Sequence, residues 1–429
     1  MKAGKPPSHW RCLSPRLFVA LTASAIVAYL VVLYTAELEP RSLKVGHLII
    51  RQSLSALILG SQLNSSDEET MATEPPCEPV HQIIFIKTHK TASTTTNTLI
   101  QRYGMKHNLS FALPAGNQLF NEAKLYSRSM LFRRAPQPGS GDIFNILANH
   151  MRYNRPELEK TVPDAKYITI LRHPVTKFES TFGYYNFIKG LHLEGHVNPL
   201  ETFMKTPETL LHKYPLSMNN QLRNGMMFTL GFDHKFDDNE TVINKTIERL
   251  DKELDLVLLT EYYDESLLLL KELMCWEIED ILYIPKGYRS QNRRYEMSDK
   301  LAQKILKWNR ADERLYDHFN RTFWRKVEEY GPNFGSDLDE FRRTQKQFYD
   351  GCVDNEKLKQ NAFGGREDAL VMKRNSSHDC EISFMRVGKF HYKMQKEMRT
   401  REKERNPESQ TSVKGNIRNR IKRGIGRSL

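Results

Sequence analysis

Four short apolar runs rich in β-branched residues punctuate the chain: "IIFI" at 83–86, "IFNILA" at 143–148, "YITIL" at 167–171 and "LDLVLL" at 254–259. Runs of this length, bounded by polar residues, suit strands buried on both faces. Helical spacing follows or separates them, for example over Pro174–Tyr185 and Asp264–Trp276. Strands alternating with helices predict an α/β domain with a largely parallel sheet and flanking helices. Ligands in such folds bind beyond the carboxyl ends of the strands. No internal repeat is visible.

One apolar stretch has a different character. Leu17–Ala36 runs 20 residues without a charge, long enough to cross a bilayer as a helix. Lys2, Lys5, Arg11 and Arg16 precede it, and Glu37 and Glu39 follow. That charge step predicts a cytosolic N-terminus and a luminal body. No small-x-small cleavage site follows Tyr34, so the stretch reads as an uncleaved signal-anchor rather than a removed signal peptide. The expected organisation is a cytosolic tail at 1–16, a transmembrane anchor at 17–36, a luminal stem at 37–80 and a catalytic body at 81–350. A Cys-containing extension at 351–385 and a basic, mobile, partly helical tail at 386–429 complete it. Within the stem, "HLIIRQSLSALILG" could form a short helix.

The net charge of +12 would suggest nucleic acid, but its distribution argues otherwise. The first 16 residues carry four basic groups and no acid, and the tail from Arg386 carries 14 Lys/Arg against 4 Asp/Glu. The body between is near neutral, so no nucleic-acid partner is expected. Four cysteines follow the anchor: Cys77, Cys275, Cys352 and Cys380. Three pairings are open. The local loop favours Cys352–Cys380, which leaves Cys77–Cys275. Sequons at Asn64, Asn108, Asn239, Asn244, Asn320 and Asn375 agree with a luminal body.

The chemistry gathers after "IIFI". Lys87, Thr88, His89, Lys90, Thr91, Ala92, Ser93, Thr94 and Thr95 follow the strand, and helical spacing resumes through Ile100. A helix starting here aims its free N–H groups and positive dipole end at the loop. Ser93–Thr96 offer hydroxyls and caps, and Lys87 and Lys90 offer charge. No glycine is present, so the loop is not expected to wrap its backbone around a diphosphate as G-x-x-x-x-G-K-[ST] does. One phosphosulfate group, held by side chains and a helix end, suits it better. "YITILRHPVTKFESTFGYY" gives a second strand end with Arg172, and Ser180 eight residues on; Pro174 suits a helix start.

"FIKTHKTAS" resembles the 5′-phosphosulfate loop of the galactose 3-O-sulfotransferases, the family that includes galactosylceramide sulfotransferase. Its "KTAST" part is also similar to the uronyl 2-O-sulfotransferases. The resemblance continues in "HNLSFALPAG" (107–116), "FNILANHMRYN" (144–154), "LVLLTEYYDESLLLLKELMCWEIEDILY" (256–283) and "LYDHFNRTFWRKVEEYG" (315–331), and fades beyond Cys352. It implies a P-loop-like sulfotransferase fold with 3′-phosphoadenylyl sulfate as donor. It implies a Golgi membrane location of type II topology and a β-galactose acceptor on a glycolipid (galactosylceramide, lactosylceramide) or a glycoprotein. A homodimer is allowed for. Lys90, Thr91, Ala92, Ser93, Thr94 and Thr95 would hold the 5′-phosphosulfate. Arg172 and Ser180 would grip the 3′-phosphate. In "IPKGYRSQNRRYEMS" the family's Asn-x-Arg is only loosely matched, and Arg289 is its counterpart.

Sulfuryl transfer needs a base beside the acceptor hydroxyl and cations at the leaving phosphate. His89, inside the loop and implied by the resemblance, is the first candidate base; nearby cations would favour its neutral form. His150, in "NHMRY", is the rival, because related uronyl enzymes place a histidine in a comparable segment. Lys90 suits the bridging oxygen and Lys87 the sulfuryl oxygens. No carboxylate cluster or His/Cys set has metal spacing along the chain, so no metal is expected. The alternatives are a uronyl 2-O-sulfotransferase, a luminal P-loop kinase and a non-enzymatic glycan-binding membrane glycoprotein. The kinase would need a glycine-rich loop and Mg²⁺ ligands.

Overall fold

The four apolar runs form one parallel sheet, with β1 (Ile83–Ile86) and β3 (Lys166–Leu171) at its centre. The strand order is β2 (Ile146–Leu147), β1, β3, β4 (Leu256–Leu259). Register pairs Ile84 with Leu147 and Tyr167, and Ile168 with Leu256. Every side chain of β1 and β4 is buried, as a sheet covered on both faces requires. These details come from a computed structural model, which describes residues 77–116, 119–132, 144–214, 218–287, 294–361 and 367–405. Met1–Pro75 and Pro76–Leu429 are separate units. The expected anchor at 17–36 and the stem helix fall in the first and lie outside the described residues. Among the described residues no helix is long and apolar enough to cross a membrane.

Two strands are shorter than their apolar runs. Asn145, ahead of β2, is drawn to Ser110, whose amide and hydroxyl donate to its Oδ1 at 3.1 and 2.9 Å. Ahead of β4, Leu254 caps α3 (Glu240–Glu253), and the Asp255 carboxylate accepts from the Tyr167 amide at 2.8 Å. Helices follow three strand ends: α1 (Ser93–Lys106) after β1, α2 (Pro174–Tyr184) after β3, and α4 (Tyr263–Met274) after β4. Pro174 opens α2 with its φ preset, behind an extended His173.

Long helices follow among the described residues: α5 (Asp299–Trp308), α6 (Arg310–Tyr330) and α7 (Phe334–Cys352). Ala311, Leu315, Phe319, Phe323 and Val327 make one buried stripe along α6, which stops at Gly331, where φ is 93°. The stripe joins the main core around the sheet. A second core lies under α2, where Phe178 and Phe182 meet Phe203, Leu222, Leu301 and Ile305.

The expected Cys-containing extension and the first part of the basic tail form a hairpin and two helices. The hairpin of β5 (Val353–Asn361) and β6 (Glu367–Met372) leads to α8 (His378–Phe384) and α9 (Val387–Arg405). Arg102 of α1 donates to Ser383 Oγ on α8 at 3.3 Å and to the carbonyl of Asp280 at 3.0 Å. Phe390 and Met394 of α9 enter the main core, with Phe390 edge-on to Phe111 at 5.2 Å. Apolar side chains at the start of α9 therefore tether the basic tail; residues 406–429 lie outside the described residues. Both expected disulfides are present, Cys77–Cys275 and Cys352–Cys380.

Phe111 and Ile146 approach α1 closely at Gly104. A Cβ there would meet Phe111 Cζ at 2.5 Å and Ile146 Cδ1 at 2.6 Å. Helix propensity alone would make Gly104→Ala stabilising by about 1 kcal/mol. Phe111 is hemmed in by Phe390, so the overpacking should win and the variant should lose roughly 1 kcal/mol. Urea unfolding measures the sign, and a more stable Gly104→Ala would show that Phe111 gives way.

Candidate active site

The turn from β1 into α1 is Lys87–Ala92. Lys90 and Ala92 both take left-handed backbone conformations, with φ of 59° and 60°. Beyond the side chains and helix end expected to meet an anion in this glycine-free loop, two ordinary residues here adopt the conformation glycine usually supplies. Left-handed Ala92 followed by helical Ser93 turns successive N–H groups to one side, the concavity that binds anions.

Hydroxyls hold this turn. Thr88 Oγ1 donates to the Ile170 carbonyl on β3 and lies 2.7 Å from Thr91 Oγ1. Ser93 Oγ donates back to the Thr88 carbonyl. Thr260, at the end of β4, lies 2.9 Å from the carbonyls of both Thr91 and Leu171. Thr95 Oγ1 accepts the Lys286 amide at 2.9 Å. The hydroxyls of Thr91, Ser93 and Thr95, expected to meet the anion, thus bond within the protein. What remains for a ligand is the first backbone amides of α1, at Ser93 and Thr94, half-buried Thr94 itself, and the hydroxyl proton of Thr95, which only accepts from Lys286.

His89 and His150, weighed as rivals, come together. Their rings stack at 3.9 Å between centroids and 9° between planes. His89 Nε2 lies 2.9 and 3.1 Å from the two oxygens of Glu122, and His89 Nδ1 lies 2.7 Å from the Tyr185 hydroxyl. A carboxylate only accepts, so Nε2 carries a proton, and in the neutral ring Nδ1 is then the nitrogen that accepts from Tyr185. His150 Nδ1 donates to the Lys87 carbonyl at 2.8 Å. Burial, then His89, then the Lys87 ammonium hold His150 well below the ordinary histidine value, so it is neutral.

His89, Glu122 and His150 also place one ligand atom each within 4.8 Å of one another. The expectation of no metal-type cluster is corrected to that extent, since folding assembles what the linear spacing does not show. Two His and one Glu can hold zinc. Parallel stacked rings, however, run their in-plane lone pairs side by side and do not converge on one point. The set as it stands fits a hydrogen-bonded relay.

The second strand end meets the first. Arg172 donates to the Lys90 carbonyl at 3.2 Å and to Thr176 Oγ1 at 3.0 Å. Ser180 is half-buried on α2. The Lys90 ammonium sits 3.6 Å from the centre of the Tyr184 ring. Lys87 is buried beside His150. Arg289 lies outside the described residues, but Lys286, three residues before it, is pinned to Thr95, and burial pushes its ammonium down to about 8.

Sequence reasoning missed Glu122, Tyr184, Tyr185 and Thr260. Thr260 had a signal, because it directly follows "LDLVLL" at a strand's carboxyl end. Glu122 had none. It stands on a turn where Asn121 Oδ1 accepts the Ala123 amide at 3.0 Å. That segment runs beside residues 150–152, with Phe120 and Tyr126 donating to the carbonyls of His150 and Arg152.

A protein-family model described as galactose-3-O-sulfotransferase matches residues 25–380. Bos taurus galactosylceramide sulfotransferase is 37% identical over 282 residues, 65% of each chain. Homo sapiens galactose-3-O-sulfotransferase 2 is 32% identical over 312 residues, 71% of this chain and 77% of that protein. Mus musculus galactose-3-O-sulfotransferase 3 is 34% identical over 266 residues, 60% of this chain and 59% of that one. The chain thus spans about two thirds of the length of these relatives. A solved sulfotransferase from Alicyclobacillus acidocaldarius aligns over 57% of this chain and 96% of its own, at 13% identity and a TM-score of 0.31.

The left-handed Ala92 yields a stability prediction. A non-glycine residue there costs about 1–2 kcal/mol, and glycine's greater unfolded-state freedom offsets about 0.4–1 kcal/mol of the relief. Ala92→Gly should therefore raise stability slightly, by about 0.5 kcal/mol in urea unfolding. A clear loss would mean that the Ala92 methyl packs in a way that outweighs its backbone.

Proposed function

The chain belongs to the galactose-3-O-sulfotransferase family, and from that premise we propose that it moves a sulfuryl group from 3′-phosphoadenylyl sulfate to the 3-hydroxyl of β-galactose. The names of the relatives supply the acceptor class, galactosylceramide among them. A glycoprotein galactose is the other acceptor within this reading. The observation that carries it is the position of His89. The imidazole belongs to the anion turn itself, and its Nδ1 already accepts from a hydroxyl, that of Tyr185, at 2.7 Å. An acceptor hydroxyl replacing Tyr185 there would lose its proton to the same nitrogen.

The residues fit the donor. The amide concavity at Ala92–Thr94 suits the 5′-phosphosulfate, and the Lys90 ammonium can leave the Tyr184 ring for the bridging oxygen. Lys87 suits the sulfuryl oxygens. Arg172, tied to the Lys90 carbonyl, suits the 3′-phosphate, with Ser180 eight residues further along the chain as the hydroxyl that would join it; Arg289, the third residue assigned to this phosphate, lies outside the described residues. Bound there, the donor supplies a sulfuryl group on a phosphate leaving group. His89 Nδ1 removes the hydroxyl proton as the oxygen attacks, and the cations meet the charge left on the phosphate. We place this chemistry in the Golgi lumen, with Leu17–Ala36 as a single type II anchor. Protease treatment of sealed microsomes should then spare the body and its C-terminus, and digestion without detergent would reverse the topology.

Three substitutions should fail differently. His89→Ala leaves the lysines and the helix end, so donor binding should persist while turnover falls roughly a hundredfold or more. Lys90→Ala should weaken both binding and turnover. Arg172→Ala should weaken binding of the 3′-phosphorylated donor and leave affinity for adenosine 5′-phosphosulfate nearly unchanged. Donor titration by calorimetry beside single-turnover sulfation of a β-galactoside reads all three. Normal turnover by His89→Ala with loss in His150→Ala would move the base to His150.

A further inference from the structure

Glu122 has no place in the reading so far, yet its carboxylate is the group nearest the rear nitrogen of His89. Both oxygens lie within 3.1 Å of Nε2. The Glu122 side chain is largely buried, and its backbone is set by the turn that Asn121 closes on Ala123. Residues on either side are fixed to the sheet side of the site, with bridges pairing Leu119 with His150 and Leu125 with Arg152. The carboxylate is thus held at one end of the imidazole, with the Tyr185 hydroxyl at the other. The ring of His150 covers one face of His89.

Resting on the sulfotransferase reading, we propose that Glu122 is a positioning residue that fixes His89 in the Nε2–H tautomer, so that Nδ1 is the atom that takes the acceptor proton. The balance of the step follows. The acceptor oxygen forms a bond to sulfur and gives its proton to His89 Nδ1. The bond between sulfur and the bridging oxygen breaks, and its electron pair stays on the phosphate. His89 becomes an imidazolium, with Nε2–H still bonded to Glu122, which remains ionised. Neutral His150 cannot carry that charge, because its burial, and then His89 and Lys87 beside it, oppose a cation there. Glu122 is then the counter-ion that makes a protonated His89 tolerable beside Lys87 and Lys90. The geometry is that of a base oriented by a carboxylate behind it.

The test uses the full-length protein in detergent, with ¹⁵N-labelled histidine and the variants Glu122→Gln and Glu122→Asp. The His89 ring signals are assigned by their loss in His89→Gln. In the wild type, the ¹⁵N shifts should show protonated Nε2 and unprotonated Nδ1, and Glu122→Gln should raise the share of the Nδ1–H form. With a β-galactoside acceptor, Glu122→Gln should lower kcat by roughly a hundredfold with the donor dissociation constant within about twofold, and Glu122→Asp should recover part of the loss. A wild-type His89 protonated on Nδ1, or a kcat for Glu122→Gln within twofold of wild type, overturns the assignment. A wild type that sulfates no β-galactoside instead sinks the proposed function, and the resting tautomer then decides the role of Glu122.

Discussion

The site depends on one constraint: the chain must turn from β1 into α1 without a glycine. Lys90 and Ala92 hold left-handed conformations that cost about 1–2 kcal/mol each. Such strain persists only where the surroundings over-determine it. Here they do, because Thr88, Thr91, Ser93 and Thr260 bind this turn to the ends of β3 and β4. Amides fixed before a ligand arrives need no reorganisation when charge develops on it. Within the run of Thr and Ser that suggested an anion site, Thr88, Thr91 and Ser93 brace the turn.

The same turn sets the electrostatics. It brings two lysines and a histidine to one strand end and places the neutral ring of His150 against that histidine. Arg172 reaches the turn from β3 through the Lys90 carbonyl, so the two halves of the expected donor site are joined before any donor binds. Glu122 supplies the opposing charge from a segment beside the sheet. Cations that meet a leaving phosphate and a base that must accept a proton make conflicting demands, and a carboxylate behind the base reconciles them.

Much of this was legible in the chain. Buried strands announce themselves as short β-branched runs, so β1, β3 and β4 and a largely parallel sheet could be read directly, but not the strand order. Arg172 and His89 followed from lying at strand ends. The sequence could not show that His89 and His150 stack, because 60 residues lie between them and the pairing of β2 with β1 is what brings their segments side by side. Glu122 was invisible for the same reason, with no periodicity or motif around it. In the tail, charge outnumbers apolar residues, so the placing of Phe390 and Met394 of α9 in the core could not be read from composition. The left-handed turn was missed because glycine is the usual sign of that conformation.

The central claim is that this turn and Arg172 form one site for a nucleotide carrying phosphates at both 5′ and 3′ positions. Calorimetric titration of the full-length protein in detergent and EDTA, with 3′,5′-adenosine bisphosphate and with adenosine 5′-monophosphate, tests it most directly. The account predicts that the bisphosphate binds at least about tenfold tighter, the scale of one charge-assisted contact to the 3′-phosphate, with no divalent cation. Equal affinity for the two nucleotides, or binding only when a divalent cation is restored, would contradict it.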